Sequence, residues 1–334
     1  MKLILDQFIL KTNKIDKLLI ILVFFFPLSL SISILFADLS ASLISLVILI
    51  LFLRKESNKL FYDIRKKIYF FFIFYLLILI SLFFSISFKD SFLPSFFYFR
   101  YFLFALGIFY LLKKYDFFKK VLLYSISLTF IIVIMDSFFQ YFFLKNFFNY
   151  PSIYFYQGSD TGRVHHITSF FNDEKKLGSF LIRILPLILS LIILLDFKIF
   201  KKIDSKLLVI ILIGILIFLS TERVAFFLFL FFLIFSLKVL DNRFIILSFV
   251  IFSLSFLSFA QPRIYAKYVY VTLAQFNLID FYNVYDKDGN FNSIIDKLDF
   301  SNVYYISEEH QKLAKSGIEI FKENPITGSG IKTY

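Results

Sequence analysis

Continuous apolar runs, rather than alternating ones, fill the first 260 residues, each bounded by a short charged or polar gap. Apolar runs without period-two alternation read as helices, not barrel strands, and in lipid only those two structures satisfy the backbone. Taking roughly 17–25 residues per crossing, about nine spans are predicted: residues 18–36, 39–53, 68–87, 96–112, 121–143, 177–196, 207–220, 224–240 and 244–260. The expected fold class is all-α, a polytopic integral membrane helical bundle. Residues 1–260 form the bundle and its short loops. Residues 261–334 form a large extramembrane segment, richer in Asp, Asn, Glu and Tyr. Leu18 to Phe36 is long enough to span and another span follows at once, so it reads as a first transmembrane helix and not as a cleaved leader. Within 261–334, Gln311 to Lys322 has helical spacing, with apolar Leu313, Ile318 and Phe321, and Asn324-Pro325 ends it.

The stretch from Leu207 to Leu240 admits one long helix or a hairpin broken at Thr221-Glu222-Arg223. A charged pair at mid-membrane is expensive, which favours the hairpin. Positive charge decides the matter. Lys2, Lys11, Lys14 and Lys17 precede the first span. Arg54 to Lys67 follow the second, Lys113 to Lys120 the fourth, Lys198 to Lys206 the sixth, and Lys238 with Arg243 the eighth. With nine spans all of these lie on one side, which the positive-inside rule makes cytoplasmic. Merging spans seven and eight would throw the last pair across. The outward-facing segments are then those around Asp38, around Lys89-Asp90, from Lys145 to Lys176, from Thr221 to Arg223, and 261–334.

Composition narrows the class. Of 334 residues 59% are hydrophobic, well above a soluble domain. The net charge of +12 does not indicate nucleic acid, because most Lys and Arg flank spans where they set topology. Cysteine is absent, which excludes disulfides and Cys-based metal sites. The abundance of Phe reads as compositional drift, not as an aromatic binding face.

Against the topological trend, Arg100, Arg163, Arg183, Arg223 and Arg263 fall on the outward side. Wrong-side and intramembrane arginines are costly and default to a functional hypothesis. Outward guanidiniums at a membrane surface suit a pyrophosphate carried on a lipid. Arg183 sits about 10 Å below the outer end of its helix and must pair, snorkel or line a wet cavity; an ion pair with Asp136 or Glu174 is the alternative to substrate contact. Arg223 either snorkels from a tight turn, pairs with Glu222, or binds ligand. Arg163 lies in a long solvated loop, and Arg100 reads as an interfacial anchor. Asp136, Gln140 and Glu174 face the same side. His165-His166 is a weak metal signal, since adjacent side chains diverge and no third ligand is near; no metal and no cofactor is expected. His310, a weak candidate for a general base, accompanies Glu308 and Glu309.

Four segments together resemble the O-antigen ligase and O-antigen polymerase superfamily of bacterial inner-membrane glycan enzymes. They are Met135-Asp-Ser-Phe-Phe-Gln-Tyr141; Arg163 followed by Ser169-Phe-Phe-Asn-Asp-Glu-Lys-Lys-Leu-Gly-Ser-Phe-Leu-Ile-Arg-Ile-Leu-Pro186; Thr221-Glu-Arg-Val-Ala225; and Ile318-Glu-Ile-Phe-Lys-Glu-Asn-Pro-Ile-Thr-Gly-Ser-Gly330. Their order and common sidedness cover most of the chain. The resemblance implies a multi-pass glycosyltransferase of the bacterial inner membrane, N-terminus cytoplasmic and 261–334 periplasmic. It would take a glycan from undecaprenyl pyrophosphate and pass it to lipid A-core (a ligase) or to another lipid-linked repeat unit (a polymerase). Neither metal nor nucleotide sugar is implied. Partners are the lipid-linked donor, the acceptor and membrane lipid. Arg163, Glu174, Arg183, Arg223 and Arg263 become substrate-binding candidates. The family also carries a His beyond the Gly-x-Gly element and about three further spans, so the chain is expected to be a piece of a longer protein, and His310 is a poor substitute for that His. A flippase or transporter of the same lipid-linked sugars is a third reading; it predicts charge spread through the membrane depth, whereas here charge crowds the outer face.

Overall fold

The computed structural model describes residue 8 and residues 12–53, 65–151, 153–155, 164–172, 174–199, 204–236, 247–248, 250–251, 255, 268–269, 272–278, 308–323 and 325. Along these run α1 (Lys14–Ile32), α2 (Ile34–Leu53), α3 (Arg65–Phe83), α4 (Phe88–Phe96), α5 (Phe99–Lys114), α6 (Phe118–Phe143), β1 (Ile153–Phe155), β2 (Val164–His166), α7 (Leu177–Leu195), α8 (Ser205–Ser220), α9 (Arg223–Ser236), α10 (Thr272–Gln275) and α11 (Glu308–Glu323). The described chain is helical apart from one short antiparallel ribbon, in which Tyr154 of β1 stands opposite His165 of β2. Two compact units form: Met1–Ser125 with Glu309–Tyr334, and Ile126–Glu308, with α6 running from the first into the second.

Among the described residues, five stretches are long and apolar enough to cross a membrane: Lys14–Ile32, Ile34–Phe52, Phe88–Lys114, Phe118–Phe143 and Leu177–Leu195. Ile68–Phe83, Ser205–Ser220 and Arg223–Ser236 are apolar but shorter. The ninth expected span, 244–260, and the expected division at residue 260 fall largely outside the described residues; the described residues hold five helical stretches of spanning length and three shorter apolar helices. Large apolar side chains stay exposed along these helices; Phe70 and Phe83 of α3 are each 78% exposed. Such contiguous apolar surface fits lipid and not water.

In the first unit, α1 opens where the Asn13 side chain accepts from the Asp16 N–H at 2.7 Å, satisfying one of the orphan donors of a helix start. α1 packs on α2, and both pack on α5, around Leu19, Ile44, Ile48, Tyr110 and Leu111. A Cβ on Gly107 would lie 3.1 Å from both Ile44 and Ile48, so α5 approaches α2 closely at that point. Asp16 is fully buried. Its carboxylate accepts from the Tyr110 hydroxyl at 3.1 Å, the Tyr115 hydroxyl at 2.6 Å and the Lys114 ammonium at 2.6 Å. Burial, with the Asp16 carboxylate beside it, pushes the Tyr115 phenol well above its ordinary value.

Two expected boundaries move. The break between the first two helices falls at Ser33, not near residue 37. Ser33 is extended and its N–H returns to the Ser29 carbonyl at 3.1 Å, while Asp38 rides inside α2. The third helix stops at Phe83, and a short helix, α4, leads through Phe97 and Tyr98 into α5.

In the second unit, α7 packs on α8 and α9 through Leu177, Leu181, Leu185, Ile188 and Ile192, which share one helical face. Pro186 lies inside α7. It has no N–H to offer the Ile182 carbonyl. The chain reverses between α8 and α9 at Thr221, which takes a left-handed φ of 58°. The hairpin is tight: a Cβ on Gly214 would come within 2.8 Å of the Phe229 ring.

Candidate functional site

Three helix ends of the second unit meet at the α8–α9 turn. The last carbonyls of α8 lack intrahelical partners. Here the Tyr268 hydroxyl is within 3.1 Å of both the Ile217 and Phe218 carbonyls, its ring stacked on Phe218. His166, fully buried at the end of β2, brings Nδ1 against the Thr221 hydroxyl and 3.4 Å from the Ser220 carbonyl. His166 is thus a prop for the turn. Among the described residues no three His, Cys, Asp or Glu gather.

Glu222 supplies what the start of α7 lacks. Its Oε1 accepts from the Gly178 N–H at 2.5 Å; its Oε2 accepts from the Ser179 N–H at 3.0 Å and the Ser179 hydroxyl at 2.8 Å. A carboxylate on first-turn amides is favoured by both capping and the helix dipole, but here it arrives from the α8–α9 turn. Meanwhile the Glu222 carbonyl accepts from Phe226 at 3.0 Å and starts α9. The approach needs a glycine: a Cβ on Gly178 would sit 2.7 Å from Ser220 Oγ and 2.9 Å from Ala225 Cβ.

Cations collect around that carboxylate. Burial raises the Glu222 pKa, against the three hydrogen bonds and the charge of Arg183, which lower it. Desolvation lowers the Lys175 ammonium, and Arg223 lowers it further. Burial pushes the Tyr268 phenol up, the Glu222 charge adds to the rise, and Arg223 opposes it. Lys175, Arg183 and Arg223 are therefore electrostatic neighbours of one another or of Glu222. This is a setting for an anionic group with several oxygens.

A second set of buried polar groups is structural. Ser169 has a left-handed φ of 52°, a strained state for a residue other than glycine. It is held at every polar atom. Its hydroxyl donates to Asp136 at 2.6 Å, its N–H to Gln140 Oε1 at 2.7 Å, and its carbonyl accepts from Asn146 Nδ2 at 2.8 Å. Asp136 also accepts from the Phe147 N–H at 2.7 Å, and Gln140 from the Thr168 N–H at 2.8 Å. The end of α6 thus latches the segment entering α7.

The sequence candidates separate accordingly. Arg183 acts on the Glu222 carboxylate, and Arg223, next to Glu222 in the chain, acts on Lys175 and Tyr268. Both carboxylates weighed as alternative partners of Arg183 are engaged elsewhere: Asp136 in the latch, and Glu174, exposed, with Lys176. Arg100 bonds Asp38 at 3.0 Å and the Tyr101 hydroxyl at 2.8 Å in the first unit, consistent with an anchor. Arg163 and Arg263 lie outside the described residues. His310 falls in the first turn of α11, and its side chain is likewise outside them. Lys175 and Tyr268 escaped the sequence reading. Lys175 stands in the charged run Asp173 to Lys176 just before α7, where proximity to a helix start was the available signal; Tyr268 carried none. No protein-family model, curated protein or solved structure matches the chain.

Proposed function

We propose that this chain is a bacterial inner-membrane glycosyltransferase of the O-antigen ligase type, moving a glycan from undecaprenyl pyrophosphate to lipid A-core on the periplasmic face. The observation that carries the reading is the Glu222 cap on the start of α7, with Lys175 just before that helix, Arg183 within it and Arg223 next to Glu222. A diphosphate leaving group gains negative charge as the glycosidic bond breaks, and donors fixed in advance stabilise that charge without reorganising. Helix packing fixes these donors: α7 carries Arg183, the turn carries Arg223, and Glu222 ties the two. The acceptor hydroxyl needs a base, and the resemblance places that group in the periplasmic segment.

The test is glycan transfer in membranes carrying the full protein and a lipid-linked donor. Arg223→Ala and Arg183→Ala are expected to abolish transfer while inserting normally. Normal transfer by both variants would defeat the reading. The product distinguishes the polymerase alternative: glycan on lipid A-core marks a ligase, and lengthened lipid-linked glycan marks a polymerase.

A further inference from the structure

α11 (Glu308–Glu323) differs from the other long helices in having a charged face and an apolar one. At about 100° per residue, Leu313, Ala314, Gly317, Ile318, Ile320 and Phe321 fall within one arc of about 160°, which His310 joins in the first turn. The arc is open. Leu313 is 68% and Phe321 63% exposed, and a Cβ added to Gly317, near its centre, would meet nothing within 4 Å. We infer that α11 lies in the plane of a lipid surface, with Leu313, Ile318 and Phe321 in the acyl boundary.

Two features select lipid as the occupant. The same chain carries five stretches long and apolar enough to cross a membrane, so a bilayer surface is the apolar phase the chain already requires. Charge is also placed for an interface. Glu308, Glu319 and Glu323 lie on the far side of the wheel from the apolar arc. Lys315 and Lys322 flank it beside Ile318, where a long aliphatic stem can reach out of the acyl region to the headgroups. The polar arc carries both signs, so binding rests mainly on apolar burial and is expected to depend weakly on lipid charge.

The chain contains no tryptophan, so an introduced one reports alone. The full protein is reconstituted in phosphatidylcholine vesicles with and without brominated acyl chains, carrying Phe321→Trp, Leu313→Trp or, on the opposite face, Glu319→Trp. Brominated tails are expected to quench the two apolar-face probes about twofold or more, with Glu319→Trp unaffected but open to aqueous iodide. Equal quenching on both faces would mean a buried or spanning helix and overturn the proposal. Iodide access without bromine quenching at Phe321→Trp and Leu313→Trp would place that face in water. Protection from both quenchers would put it against protein. Either result also overturns it, and none depends on transferase activity.

Discussion

Each unit keeps charge near its helices, but on different terms. In the first, the Asp16 carboxylate receives Lys114 and two phenols, and Arg100 meets Asp38. Each is a cation matched to an acid, closed on itself. In the second, Lys175, Arg183 and Arg223 share the surroundings of Glu222, whose oxygens also serve three donors of α7. Lys175 is lowered first by burial and then by the like charge of Arg223, a cost that packing alone does not require. The first arrangement is what a fold needs in order to bury an ion; the second is what a site needs in order to attract one. The lesson is that arginines against the topological trend divide by company: Arg100 belongs with structure, Arg183 and Arg223 with the proposed chemistry.

That division breaks most visibly in activity. Arg223→Ala or Arg183→Ala is expected to cost about 100-fold or more in transfer with little change in melting temperature; a collapse in stability with unchanged specific activity would move both to the structural side. Next in size, Asp16→Ala leaves two buried phenols without their acceptor and should destabilise by about 1–3 kcal/mol, read by thermal unfolding in detergent. Gly178→Ala drives a methyl into Ser220 and Ala225 and should cost about 1–3 kcal/mol, with a loss of transfer that Gly107→Ala, in the other unit, does not share. Arg100→Ala, at a partly exposed pair, should cost under about 1 kcal/mol.

The smallest effect is one of pH. Burial raises the Glu222 pKa in the fold, so the folded chain binds more protons than the unfolded one between the ordinary glutamate range and the raised value. The stability this group contributes is fully present below the ordinary glutamate value and is lost as pH rises through the folded one. Glu222→Gln should flatten that slope, measured as melting temperature against pH; an unchanged slope would mean another group sets it.

Much of the fold was legible because lipid imposes a coarse grammar of apolar runs and charged gaps. The reversal at Thr221–Arg223 was readable from the cost of a buried charged pair, and α11 from its spacing. The break at Ser33 was not, since apolar residues continue through it and only a backbone turn marks the end. The ribbon of β1 and β2 was hidden in a polar loop. The partners of Asp136, Gln140 and Glu222 were unreadable for a different reason: a carboxylate in sequence does not say whether it will meet a cation, a helix start or a strained serine. Lys114, read as a topological charge, proved to be the partly exposed partner of the buried Asp16.

Pro186 has a mechanical consequence. With no N–H to meet the Ile182 carbonyl, the spine of α7 is interrupted one residue before Arg183, so the turns from Leu177 to Leu185 can loosen without unwinding the rest of the helix. Amide exchange should find two protection classes along α7, divided at the proline, with the outer class governed by the Glu222 clasp. A bound polyanion would slow exchange in the class from Leu177 to Leu185 alone, and the limb bearing Arg183 would then set its own tempo.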